Sequence, residues 1–167
     1  MLVRAVQPFS DSSAWSPDFE GSKLNATLEL LNKIDEQVGL ASYADRCVCF
    51  MLESCMLIRN CLSDRGTSAL AVAERYWAGL VTESELEAAR VACWQELGAK
   101  SWSVNTDEPE ACAARAVICI LYPRWSEGDV LEHVEWFMQL ANRAEDHWTE
   151  QKSLLQHLFS DALRNQN

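Results

Sequence analysis

The segment SEGDVLEHVEWFMQLANRAEDHWTEQKSLLQHLFSDALR, residues 126–164, is the longest uninterrupted periodic stretch of the chain and decides how the rest is read. Its apolar or small positions are Val130, Val134, Phe137, Ala141, Ala144, Trp148, Leu155, Leu158 and Ala162, spaced by fours and threes with only Gln151 interrupting. Such spacing keeps one face of an α-helix apolar. At a rise of 1.5 Å per residue, its roughly 35 residues span about 50 Å, so the segment predicts a long C-terminal helix, the spine of a bundle or a helix kinked once. Ser126 with Asp129 resembles a capping box with Asp in the usual Glu position. Glu127 and Asp129 also sit where a helix dipole favours negative charge.

Working upstream, Asp107 with Glu110, and Pro109 in the first turn, predict a helix through Ala113, Ala116, Val117, Ile120 and Leu121 that Pro123 stops. Thr82 with Glu85 forms the reciprocal capping pattern, and Leu86, Ala89, Cys93 and Leu97 follow as an inner stripe. Before it, residues 68–78 carry Leu70, Ala73, Tyr76 and Trp77 and end at Gly79, which makes a helix pair with a short turn. Residues 41–62 are apolar on more than one face, which predicts a helix in the middle of the core, followed by a turn at Ser63, Asp64, Arg65 and Gly66. Leu24, Leu28, Leu31, Ile34 and Val38 predict a first helix that Gly39 closes. Residues 1–22, with Pro8, Pro17 and Gly21, read as an irregular arm that Trp15 and Phe19 pin to the body. No strand alternation appears. The expectation is an all-α, single-domain bundle of about six helices over residues 23–167.

At 167 residues the chain fits one domain, and 25 acidic against 14 basic residues give a net charge of −11. That charge repels nucleic acid and anionic membrane surfaces and favours a basic partner. No run approaches the roughly 20 apolar residues that span a bilayer, so a cytoplasmic protein is expected. The seven cysteines are an odd number, most within apolar runs, and read as free buried thiols. Cys47, Cys49, Cys55 and Cys61 match no common zinc spacing. His133 and His147 lie fourteen residues apart, about 20 Å along a helix, too far to share a metal, and with His157 they read as rim residues. There is no Gly-x-Ser-x-Gly elbow and no phosphate-binding glycine loop. No catalytic residue, cofactor or metal is therefore assigned.

Carboxylates gather at Glu83, Glu85 and Glu87, at Asp107, Glu108 and Glu110, and at Glu127, Asp129, Glu132 and Glu135. Acidic first turns complement helix dipoles, which accounts for much of this pattern. Three helix starts at related ends of a bundle would also sum their fields toward a basic partner. Of the seven tryptophans, Trp77, Trp94, Trp136 and Trp148 fall in helices and read as at least partly core; Trp15, Trp102 and Trp125 fall in loops, where each either caps the core or anchors an interface.

The run AVAERYWAGLVTESELEAARVACW within residues 71–97, with Trp148, Gln151, Leu154, Leu155 and Leu158 near the end, resembles helical bacterial toxin-immunity proteins. The resemblance covers about half of the chain. It implies a small non-enzymatic cytosolic protein that binds one cognate toxin and blocks its active site. Joined to the charge, it leads to the expectation of a protein toxin with a basic active-site cleft as partner, contacted through Glu83, Glu85, Glu87, Trp102, Asp107, Glu108 and Glu110. An acidic mimic of nucleic acid is a second reading, which Arg75, Arg90, Arg115 and Arg143 interrupt; an unrecognised helical enzyme is a third. The long apolar stripe would also serve a homodimer.

Overall fold

Helices in this chain begin and end where a side chain or a glycine satisfies the backbone groups that a helix leaves unpaired. The computed structural model describes residues 21–98, 108–125 and 129–164. Helix α1 (Gly21–Val38) stops at Gly39, whose φ of 67° lies in the left-handed region, while the Asp35 carboxylate accepts from Leu40 N–H at 2.8 Å. A 3₁₀ turn (Leu40–Tyr43) leads into α2 (Ala44–Leu57), and a second (Arg59–Cys61) follows it.

Ser63 accepts from Gly66 N–H at 3.0 Å and starts α3 (Asp64–Trp77), so the polar run read as a turn is the cap and first turn of a helix. Helix α4 (Glu83–Leu97) carries the expected capping box between Thr82 and Glu85. Pro109 opens α5 (Pro109–Ile120). The remaining helices are α6 (Val130–Ala144), α7 (Trp148–Leu158) and α8 (Ser160–Arg164).

The all-α expectation agrees with the described residues, which form eight α-helices and no strand. None of these helices is long and apolar enough to cross a membrane. The single long C-terminal helix is corrected. Asp129 directly precedes its first turn, Ser126 lies outside the described residues, and Glu145 turns the chain out of α6 with an extended φ of −158°. The cause is a polar pair. Asn142 Nδ2 donates to Met138 O at 2.8 Å and to Gln151 Oε1 at 2.7 Å, while Asn142 Oδ1 accepts from His147 N–H at 2.8 Å. Gln151, which interrupts the apolar stripe, is 1% exposed and bridges the two helices across the break.

Helix α2 lies in the core as expected, but α5 is the more fully buried of the two. Helix α2 keeps Cys49, Glu53 and Met56 in solvent, whereas in α5 every residue from 112 to 120 is buried. Helix α5 touches α2, α3, α4 and α6, while α2 touches α3, α5, α6 and α7, so the two share the middle of the bundle. Phe50 of α2 meets Phe137 of α6 edge to face at 6.2 Å, both fully buried. At the opposite edge, Arg46 grips Asp161 with two bonds of 2.6 and 2.8 Å and also donates to Leu158 O, tying the start of α2 to α8. This pair holds the Asp161 carboxyl down to about 2, below its ordinary value, chiefly through the hydrogen bonds from Arg46.

Two outcomes are expected. Asn142→Ala leaves Gln151 Oε1 and His147 N–H without their partner and should lower stability by about 2 kcal/mol in urea unfolding; a change below about 0.5 kcal/mol would contradict the assignment of the break. A depressed native pKa makes the Asp161 pair stabilising above its unfolded value near 4 and lost as pH falls through about 2. The Asp161 carboxyl carbon should therefore titrate near 2 by NMR and return to about 4 in Arg46→Met.

Candidate functional site

Helices α3 and α4 run antiparallel, because Ser63 at the start of α3 donates to Glu96 at the end of α4 at 3.0 Å. At the other end of α3, Trp77 Nε1–H donates to Ile120 O at 3.1 Å, and Arg90 of α4 donates to Leu121 O at 3.2 Å. The start of α4 and the C-terminal end of α5 therefore share one end of the bundle.

Between α3 and α4 the chain makes a Schellman turn. Leu80 N–H bonds Arg75 O and Gly79 N–H bonds Tyr76 O, both at 2.8 Å, with Gly79 at φ 73°. The residue in the Leu80 position of this motif usually folds back onto the preceding helix. Leu80 is instead 69% exposed. Val91 at 45% and Tyr122 at 36% are two more of the four large apolar residues exposed among those described. Tyr122 stands under the Arg90 guanidinium, 4.5 Å from the ring centre, and Arg90 is 3.8 Å from Glu87. Glu83, Glu87 and Val91 lie four residues apart on one exposed line of α4.

Glu83, Glu85 and Glu87 are all exposed. Glu85 is committed to its cap, accepting from Thr82 N–H at 2.8 Å and Thr82 Oγ1 at 2.9 Å, and those bonds lower its pKa. Glu108 and Glu110, also exposed, start α5 at its opposite end, about 18 Å away by the rise of its 12 residues. Glu110 and Glu145 there lie close enough to Cys61 to disfavour its thiolate. The acidic helix starts thus divide between two ends of the bundle. Trp102 and Asp107 lie outside the described residues.

Beside the α4 edge, the rings of Tyr76, Trp77, Trp125 and His133 form a ladder with centroid steps of 5.3, 6.2 and 4.8 Å. His133 Nε2 lies 2.9 Å from Cys119 O, and a carbonyl only accepts, so Nε2 carries the proton. Burial lowers the His133 pKa, leaving the ring neutral at pH 7. His147 is part-buried between Glu145 and Glu150, at 3.5 and 3.7 Å, and His157 is exposed. Trp148 is buried, while Trp77, Trp94, Trp125 and Trp136 are half-buried.

All seven cysteines are free. Burial raises Cys47 and Cys119 to about 12 and Cys93 to about 11, and it raises Cys55 further. These thiols are protonated and unsuited to nucleophilic work. Cys49 departs from the expected burial and faces solvent. Among the described residues no group of three His, Cys, Asp or Glu is placed to hold a metal ion. Two open grooves lie among the described residues, one between α2 and α7 lined by Glu53, Met56, Leu57, Glu150 and Leu154, and one beside Trp77 and Trp125. The chain matches no protein-family model, no curated protein and no solved structure.

Ellman's reagent on the native protein should consume Cys49 at once and Cys61 more slowly, because burial, Glu145 and Glu110 oppose the Cys61 thiolate. The other five should react only on unfolding. Loss of the fast phase in Cys49→Ser is the expected check; a fast phase that survives would contradict the placement of α2.

Proposed function

We propose that this chain is a non-enzymatic, cytoplasmic binding protein of the toxin-immunity kind, which lays the α4 edge on the basic cleft of a cognate protein toxin and occludes it. The observation that carries the reading is Leu80, 69% exposed after a hydrogen-bonded glycine turn and three residues before Glu83, where α4 begins. An exposed apolar anchor near carboxylates suits a protein partner: the anchor fills a pocket and the charges steer the approach. Tyr122 and Val91 extend the same surface. The net charge of −11 favours a basic partner and disfavours a second copy of this chain.

A nucleic-acid mimic is the weaker reading, since it calls for carboxylates alone, whereas here Arg90 stands beside Glu87 and apolar side chains lie among the acids. The contact is placed at α4 in preference to Glu108 and Glu110, because the exposed apolar residues accompany the α4 group.

The product of the neighbouring open reading frame, purified and titrated with the full chain, is the test. Tight binding with inhibition of that protein's activity is expected. Leu80→Asp should weaken binding by about 30-fold, the size of an interface hot spot, without loss of fold. Glu83→Lys with Glu87→Lys should slow association more at low salt than at high salt, while Glu108→Lys with Glu110→Lys should not. Equal effects of the two charge reversals, or no effect of Leu80→Asp, would refute the placement.

A further inference from the structure

Helices α2 and α7 run antiparallel along one side of the bundle. Arg46 at the start of α2 donates to Leu158 O at the end of α7, while Met56 and Leu57 at the end of α2 line one groove with Thr149 and Glu150 at the start of α7. The apolar lining of that groove comes from Met56, Leu57 and Leu154, and Met56 is 45% exposed. Each helix also contributes one exposed carboxylate, Glu53 from α2 and Glu150 from α7. Glu53 forms no ion pair with a described residue. An apolar strip flanked by two carboxylates is complementary to an apolar segment that carries one positive charge.

The chain holds such a segment close by. Thr27 of α1 donates through Oγ1 to Trp148 O at 3.3 Å, and Trp148 directly precedes Thr149 of the groove. Gly21, where α1 begins, lies six residues before Thr27, about 9 Å along the helix. Residues 1–20 precede α1 and lie outside the described residues. Within them the run LVRAVQPF, residues 2–9, has no acidic residue, and Arg4 is its one charge. Residues 10–20 between that run and α1 reach up to about 36 Å when extended, enough to carry Phe9 from Gly21 to Thr149. They hold Asp11, Asp18 and Glu20, which the carboxylates of the groove repel.

We propose that residues 2–9 of this chain dock in the groove between α2 and α7, with their apolar side chains against Met56, Leu57 and Leu154 and Arg4 drawn to Glu53 and Glu150. The chain's own segment is the occupant in preference to the body of a second copy, which would bring the same two carboxylates and a further −11 charge to the contact. This docking covers a surface separate from the α4 edge and is independent of the toxin reading.

The methyl carbon signals of the methionines in the full chain, with Met56 assigned through Met56→Leu, test it. Val3→Asp with Val6→Asp, and separately Arg4→Glu, should shift the Met56 signal, while Met51 and Met138, both fully buried, stay fixed and report an intact core. In the reciprocal measurement, trypsin should cleave after Arg4 at least about fivefold faster in Met56→Asp than in the parent chain, because loss of the contact leaves the segment open to the protease more of the time. The Met56 signal of the parent chain should not change on dilution. The proposal is overturned if neither substitution in residues 2–9 moves Met56, if cleavage after Arg4 is no faster in Met56→Asp, or if dilution shifts the Met56 signal, which would make the groove a contact between copies.

Discussion

The burial of α5 on all sides is the constraint on which the rest of this bundle depends. A helix surrounded by α2, α3, α4 and α6 must present small side chains to let its neighbours approach, and Ala113, Ala114 and Ala116 do so within its first two turns. Its end carbonyls, lacking helical partners, are met from outside: Ile120 O by Trp77 Nε1–H and Leu121 O by Arg90. Those two bonds fix α3 and α4 against one end of α5. They also place Tyr122 under Arg90, so the packing that satisfies the core helix is what assembles the exposed edge.

Much of the helical frame is legible in the sequence because it is marked by local chemistry. Thr82 with Glu85, the glycines at 39 and 79, and Pro109 each satisfy or excuse a backbone group through residues within a few positions, and each marks a boundary where expected. The break between α6 and α7 depends on Asn142 meeting Gln151 through space, and periodicity is blind to it. Because α7 returns to the same core, Trp148 and Leu155 continue the apolar rhythm across the gap. Gln151 was the visible signal, a lone polar residue in an apolar stripe that marks a tertiary partner. The deeper burial of α5 escapes the sequence for a related reason. Alanine, cysteine and one arginine look less like a core helix than the larger side chains of α2, although small residues are what close packing on all sides requires.

The candidate surface is legible as residue types and not as geometry. The acidic helix starts are apparent from composition, yet their division between the two ends of α5 follows from the antiparallel course of α3 and α4. Leu80 reads from sequence as an ordinary residue after a glycine stop, where the usual contact would bury it. Its exposure appears only when the turn is built.

The central claim is that this molecule acts through the rigid edge formed by the Leu80 turn, the exposed line of α4 and Tyr122. Hydrogen exchange of the chain, read by mass spectrometry with and without its purified partner, tests that claim most directly. Slowed exchange confined to peptides covering residues 78–92 and 120–123 is the expected result. Protection centred instead on the groove between α2 and α7, or on the start of α5, would contradict it.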